Sequence, residues 1–195
     1  MVGLHESPLR KPYSIASAPW EVDRTGVLQL LAQIEDTGAP DPHLELALPG
    51  TMIDLEGPFG TFGLPTEAAS LPILFVAGGT GIAPLRSMLM DRLSRPHVPQ
   101  ISVVYSARAL QEFAFRSELE ALAAAGRIRL WLTVSRAEGD WSGRRGRVNE
   151  SLLREALVAG DTVCVVCGPQ GLVTDATAFL LTLGVGAERI LVERF

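Results

Sequence analysis

The chain has 195 residues, of which 47% are hydrophobic and 20% charged, a balance that excludes a disordered polypeptide and gives enough length to bury roughly 70% of the unfolded surface without disulfides or metals. Its net charge of −5, with 17 scattered basic residues, argues against nucleic acid as the main partner. The longest apolar stretch, around LPILFVAGG, is too short to span a bilayer, and the opening MVGLHESPLR lacks the layout of a secretion signal, so the expectation is a soluble cytoplasmic protein.

Up to about residue 66 the pattern is that of short strands. Residues 13–17 alternate and end at Pro19, residues 27–34 form an apolar run of strand length, and residues 52–56 alternate before Gly57-Pro58. A run of strands without long helices predicts an antiparallel sheet or barrel. Three strands and the fragment 1–5 are too few to close one, and the open edge predicts pairing with a second copy.

From residue 67 the rhythm changes to alternating strands and helices. Strands are expected over 73–77, 101–105, 128–134, 163–167 and 190–193, with helices over 84–93, 113–125, 150–157 and 172–183. That order predicts a Rossmann-like, doubly wound parallel sheet. The whole is thus expected to be an α+β protein of two domains, a partial antiparallel β-barrel over 1–66 and an α/β domain over 67–195. Cys164 and Cys167 fall within one apolar strand and suggest no disulfide framework.

Four segments carry candidate chemistry. In Phe75-Val76-Ala77-Gly78-Gly79-Thr80-Gly81-Ile82-Ala83-Pro84 a buried strand runs into a glycine turn and a helix. Glycine permits close backbone approach, and the free N–H groups of a helix start attract phosphate. The G-x-G-x-x-P spacing leaves two readings, a pyrophosphate cradle and a plain strand-to-helix turn. In Val166-Cys167-Gly168-Pro169 a second strand ends at the same rim, where Cys167 is either functional or a small apolar residue finishing a strand. Lys11-Pro12-Tyr13-Ser14 gathers a cation, a ring and a hydroxyl suited to a planar cofactor, or simply a polar barrel exterior. Gly57-Pro58-Phe59-Gly60-Thr61-Phe62 shapes a tight turn. The basic loop Trp141–Arg147 reads as solvated or as a contact to phosphate. His5, His43 and His97 are isolated, without metal-ligand spacing.

Taken in order, these segments resemble the ferredoxin–NADP reductase superfamily, in particular its bacterial reductases that serve oxygenases or small redox proteins. Lys11-Pro12-Tyr13-Ser14 resembles the family's R-x-Y-S flavin motif, and the turn at Gly57 and Pro58 its G-P-x-G-x-F junction. Gly79-Thr80-Gly81-Ile82-Ala83-Pro84 is similar to its nicotinamide pyrophosphate loop. Cys167-Gly168-Pro169 resembles its C-G-P motif, and Glu193-Arg194-Phe195 its acidic-aromatic ending. Tyr105-Ser106-Ala107-Arg108, Phe113-Ala114-Phe115 and Trp141-x-Gly143 also fit, so the resemblance covers essentially the whole chain.

The resemblance implies a flavoprotein that passes electrons from NAD(P)H through FAD to a separate ferredoxin-like protein or oxygenase component. It implies Tyr13 against the flavin ring, Ser14 near its reactive nitrogen, and Lys11 for charge. It implies Gly79, Thr80, Gly81 and Pro84 at the pyrophosphate. Cys167 and Glu193, with Gly168, Pro169 and Phe195, would lie around the nicotinamide, and Ser14, Cys167 and Glu193 form the implied catalytic set. Arg108, helped by Arg116, is suited to a 2′-phosphate, which favours NADPH over NADH.

Three departures stand out. Lysine replaces the motif arginine and loses its bidentate fork. Gly38-Ala39-Pro40-Asp41 stands where the family offers G-x-x-S or G-x-x-T to the flavin pyrophosphate, and Asp41 would repel phosphate. Met1 falls inside what would be the family's third strand. These keep two alternatives open: an NAD(P)H-dependent flavin reductase that holds flavin loosely, and a non-catalytic nicotinamide-binding subunit that has lost FAD.

Overall fold

The computed structural model describes residues 1–34, 42–136, 141–158 and 161–195. In the first part the backbone pairs sparsely. Strand β1 (Val2–Leu4) lies antiparallel to β2 (Ile53–Leu55), with Val2 opposite Leu55, and isolated bridges join Val2 to Lys11 and Ile15 to Leu30. Asp54 ties this small sheet to its flank by accepting from Arg10 Nη2 at 2.6 Å and meeting His5 Nδ1 at 2.8 Å.

The strands expected over 13–17 and 27–34 shrink to the Ile15–Leu30 bridge. The reason is visible at their middle. Ala16 N–H donates to the Gln29 carbonyl at 2.8 Å, but Gln29 N–H turns to the Ser17 hydroxyl at 3.1 Å, so a side chain takes over from the ladder. Pro19 does more than end a strand. It opens helix α1 (Pro19–Thr25), where proline loses no helical hydrogen bond; Glu21 reaches back to accept from Ala18 N–H at 2.8 Å, and Gly26 closes the helix at φ 68°.

The second part is built on β3 (Ile73–Gly78), β4 (Ile101–Ala107), β5 (Arg129–Val134), the two-residue β6 (Arg144–Arg145), β7 (Val163–Gly168) and β8 (Ile190–Arg194). They form one parallel sheet in the order β6-β5-β4-β3-β7-β8. Every residue of β3, β4 and β7 is buried, as expected of strands covered on both faces. Along β3, Ile73, Phe75 and Ala77 face one helical layer while Leu74 and Val76 face the other.

Helices α2 (Ile82–Leu93) and α3 (Arg116–Ala124) supply Leu85, Leu89 and Leu119 to the first layer. Helices α4 (Glu150–Ala156) and α5 (Gln170–Thr182) supply Leu152, Leu153, Val173 and Leu180 to the second. Helix α4 starts where the Asn149 side chain accepts from Leu152 N–H at 2.9 Å. Helix α3 starts three residues later than the sequence pattern suggests, because Leu110–Glu112 forms a 3-10 turn and Phe115 sits at φ 56°, outside helical geometry.

The two parts meet along α2. Ser87 Oγ donates to the Ser17 carbonyl at 2.9 Å and Trp20 Nε1 to the Met90 carbonyl at 3.1 Å. No helix among the described residues is long and apolar enough to cross a membrane, and no group of three or more potential metal ligands occurs among them.

Burial of Cys164 in β7 has a consequence for stability. Its thiol is pushed up to about 12 from 9.0 by desolvation, so the folded chain keeps a proton that the unfolded chain gives up first. Stability is therefore full below pH 9 and falls as pH rises from 9 towards 12. Thermal unfolding followed from pH 7 to about pH 10 is expected to show this decline. A Cys164→Ala variant, weaker at neutral pH by about 1 kcal/mol for the lost packing, is expected to decline less over the same interval.

Candidate functional site

The site is organised by two glycine turns that cross at the carboxyl ends of β3 and β7. This is where the sheet order reverses, since chain progress from β3 runs outward through β4 and β5 and then returns to β7 on the other side. Gly81, Gly78 and Gly168 are packed too closely for side chains. A β-carbon on Gly81 would lie inside contact distance of the Cys167 carbonyl. One on Gly78 would stand 2.8 Å from Leu172 Cδ1, and one on Gly168 3.1 Å from the Gly78 nitrogen. Gly79 differs. It holds φ 54° and a β-carbon there would meet nothing within 4 Å, because the residue borders an open cavity.

That cavity has a volume of about 330 Å³ and lies over the strand ends. Gly79 borders it just before the start of α2, and Pro169 and Gly171 border it at the start of α5, so two helix N-termini lend it positive potential. Arg108 enters from just beyond β4 and Arg136 from just beyond β5. Their backbones stay paired past the strands: Ser135 N–H donates to the Ala107 carbonyl and Arg136 N–H to the Arg108 carbonyl, both at 2.9 Å. Arg147 enters beside them, its neighbour Gly146 pinned by N–H donation to the Val134 carbonyl and by accepting from Thr133 Oγ1 at 2.8 Å. Glu112 and Asp175 also line the cavity, and Glu112 is turned towards the backbone, where it accepts from Arg108 N–H at 3.1 Å.

Tyr105 braces the glycine loop from beneath. Its hydroxyl donates to the Gly79 carbonyl at 3.0 Å and accepts from Ala114 N–H at 3.3 Å, while Phe113 packs edge-on against its ring at 4.9 Å. Desolvation pushes the phenol above its ordinary value, so it remains a donor at any working pH.

Cys167 and Glu193 are paired residues on β7 and β8, with Sγ 3.8 Å from Oε2. Burial, reinforced by the neighbouring Glu193 carboxylate, pushes the Cys167 thiol up to about 12. It is a neutral S–H group and not a thiolate nucleophile. The terminal Phe195, 60% exposed, hangs over the same rim and donates its N–H to the Gly168 carbonyl at 3.4 Å.

Of the residues singled out from the sequence, Gly79, Arg108, Pro169 and Phe195 line the cavity, as does Arg147 at the end of the basic loop. Thr80 belongs to the 3-10 turn Gly79–Gly81, Gly81 and Pro84 are buried behind it, and Gly168 supports it from below. Arg116 is not among the lining residues. It pairs with Glu120 at 2.7 Å and stacks over Trp141 at 5.6 Å.

In the first part, Lys11 exchanges backbone hydrogen bonds with Val2 at 2.8 and 3.0 Å, and Tyr13 and Ser14 are half-buried just before the fully buried residues 16–18. Gly57, at φ 143°, and Pro58 form an exposed cis turn. Residues 38–41 lie outside the described residues.

Arg136, Gln33 and the bracing role of Tyr105 escaped the sequence pattern. Arg136 had a usable signal: it follows its strand almost as closely as Arg108 follows the neighbouring one, and ligands of open α/β sheets gather at such strand ends. Gln33 comes from the first part and had none.

The residues present fit a dinucleotide phosphate. Open space at Gly79, two helix starts and three guanidinium groups surround one cavity of adequate size. For FAD, the fit rests on chemistry: Tyr13, Ser14 and Lys11 supply ring, hydroxyl and charge, and nine of the thirteen large exposed apolar residues among those described, from Val27 to Phe59, lie in this part.

Comparisons with known proteins bear on the fold and the family. The model of the oxidoreductase NAD-binding domain matches residues 75–178. The ferredoxin–NADP reductase B of Sorangium cellulosum is 36% identical over 195 residues, covering 96% of this chain and 78% of that protein. One subunit of the Na(+)-translocating NADH-quinone reductase of Klebsiella pneumoniae is 30% identical over 210 residues; there the chain spans only 50% of the relative's length. Among solved structures, the ferredoxin NADP+ reductase of Neisseria gonorrhoeae with bound FAD and NADP superposes with a TM-score of 0.76 at 22% identity, over 99% of this chain and 83% of that one. The Amycolatopsis cytochrome P450 reductase GcoB gives 0.82 at 24% identity, over 100% and 59%. The structural likenesses carry the two-part fold, and the sequence matches carry the kinship: this chain belongs to the ferredoxin–NADP reductase superfamily, oxidoreductases whose cofactors are FAD and a nicotinamide dinucleotide.

Proposed function

We propose that this chain oxidises NADPH and delivers the electrons, by way of FAD, to a separate redox protein such as a ferredoxin or an oxygenase component. The observation that carries the reading is the convergence of Arg108, Arg136 and Arg147 on the cavity beside Gly79. A nicotinamide dinucleotide laid along the strand ends meets the glycine turns with its pyrophosphate and the guanidinium groups with a 2′-phosphate, for which arginine's planar fork is well suited. On this reading residues 67–195 hold the dinucleotide and residues 1–66 the flavin. When bound, FAD accepts two electrons together and releases them singly.

The chain's own residues do the positioning. Tyr105 fixes the height of the glycine loop. Cys167, kept neutral, offers its thiol at the nicotinamide end, and the Glu193 side chain stands beside it 3.8 Å from the sulfur. Phe195 screens the rim, and Tyr13 and Ser14 face the flavin from the other side.

A second reading, reduction of loosely held free flavin, is favoured by the sparse strand pairing and exposed apolar side chains among the described residues of the first part. The two readings separate on purification. A protein that keeps its flavin absorption through gel filtration and reduces it with NADPH supports electron delivery to a partner. A colourless protein that oxidises NADPH only with added flavin supports the second reading, and one inert under both conditions refutes both.

Arg136→Ala and Arg147→Ala are each expected to weaken NADPH binding by about 10- to 100-fold, the equivalent of a charge-assisted hydrogen bond, while NADH binding changes little; titration of both nucleotides checks this. The glycines should separate fold from binding. Gly81→Ala is expected to destabilise the protein by about 1–3 kcal/mol, since the Cys167–Gly168 peptide occupies the space of the new methyl group. Gly79→Ala has space for its methyl and is expected to stay folded after a left-handed backbone cost of about 1–2 kcal/mol, yet to bind NADP+ at least tenfold more weakly. Equal NADP+ affinity in Gly79→Ala and the parent would falsify the loop assignment.

A further inference from the structure

Arg86 lies on α2, five residues beyond Gly81, and is 5% exposed. Its guanidinium has five N–H donors, and all five are used. Nε donates to Glu118 Oε2 at 2.6 Å and Nη2 to Glu118 Oε1 at 2.7 Å. Nη1 donates to the Ala16 carbonyl at 2.8 Å and to Glu21 Oε2 at 3.0 Å, and Nη2 also to Glu21 Oε1 at 3.1 Å. The Phe115 ring covers one face at 4.9 Å.

The acceptors divide between the two parts of the molecule. Glu118 is on α3, in the same part as Arg86. Ala16 and Glu21 belong to the first part, and Ala16 lies two residues after Ser14. The neighbouring contacts from Ser87 and Met90 fall on the same face of α2 and grip Ser17 and Trp20. One face of the helix that begins at the nicotinamide loop therefore holds the backbone leaving the Tyr13–Ser14 motif. A bidentate pair on each side leaves the guanidinium little freedom to rotate or slide.

We propose that Arg86 is a positioning residue that sets the distance and register between the Tyr13–Ser14 motif and the Gly79–Gly81 loop, and so between the flavin and the nicotinamide. This rests on the assignment of those two segments under the proposed function. Arg86 is in neither segment and is not among the residues that line the cavity. Its part is to keep two surfaces, each able to bind alone, at a separation where hydride can pass, and misplacement on the scale of 1 Å is costly to such a step.

The two carboxylates make the role separable from stability. Glu21→Gln weakens only the link between the parts, and its amide oxygen can still accept from Ala18 N–H to keep the start of α1. Glu118→Gln weakens only the link within the second part. Both lose one charged partner of Arg86, so both should lower the unfolding temperature.

The test compares Glu21→Gln, Glu118→Gln and Arg86→Met in the full chain. Spin labels are placed at exposed Thr61→Cys and Arg154→Cys, the native Cys164 and Cys167 being buried. Three quantities are measured: the distance distribution between the labels, NADP+ affinity, and the limiting rate of flavin reduction by NADPH in FAD-loaded protein. Glu21→Gln and Arg86→Met are expected to broaden or shift the label distances and slow flavin reduction about 10- to 100-fold with NADP+ affinity within about twofold of the parent. Glu118→Gln is expected to leave distance and rate unchanged despite its lower unfolding temperature. Equal slowing of Glu21→Gln and Glu118→Gln, in step with lost stability, overturns the proposal, as does a label distance that none of the variants alters. A parent that reduces no flavin refutes the proposed function instead, and the label distances still decide whether Arg86 holds the parts in register.

Discussion

The close crossing of the β3 and β7 turns is the constraint from which the rest of the site follows. Gly81 can approach the Cys167 carbonyl, and Gly78 the Pro169–Leu172 corner, only because none of the glycines concerned carries a side chain. Two helix starts are thereby brought to one rim, with Gly79 left facing open space. Helix starts of this kind present N–H groups and aligned peptide dipoles that favour anionic groups. Tyr105 completes the arrangement by fastening the loop to the segment at Ala114, so the ring that fills the core below also sets the cavity floor above.

Charge is distributed around that rim with a clear division. Guanidinium groups stand at the ends of β4 and β5 and beside β6, exposed enough to meet a diffusing anion. The interior end, at Cys167, is neutral: burial and Glu193 both oppose a thiolate there. The outer rim of the cavity thus carries positive potential, while the thiol at its inner end carries no charge of its own. The same division explains why Arg116 contributes elsewhere, its guanidinium occupied by Glu120 and the Trp141 face on the helical flank.

The two parts of the chain are stabilised differently. The second buries its central strands β3, β4 and β7 throughout. The first has few ladder hydrogen bonds among its described residues and gains order by leaning on α2, through the carbonyls of Ala16 and Ser17 and the indole of Trp20. Ala16, Ser17 and Ala18 are among the most buried residues of their region although they belong to no strand. Buried arginine at such a junction is costly to desolvate and is tolerated here because every donor has an acceptor.

Much of this was legible in the amino-acid sequence by itself. Period-2 and continuous apolar runs placed five of the six strands of the parallel sheet within a residue or two, since buried strands favour apolar side chains, whereas the exposed two-residue β6, Arg144–Arg145, carries no such run. Glycine at 78, 79, 81 and 168 marked the turns, because a missing side chain shows in sequence wherever backbone must come close. The weaker readings came where pairing depends on tertiary partners: the segments over 13–17 and 27–34 look like strands, yet only tertiary packing decided that they should share a single bridge and that Ala16 and Ser17 should dock on a helix. Tertiary structure alone also decided that Arg86 meets Glu21 and Glu118, which are 65 and 32 residues away, and that Arg136 and Arg147 join Arg108 around one cavity. A lone charged residue carries no periodic signature, and its role is set by which distant acceptors or ligands the fold brings within about 3 Å of it.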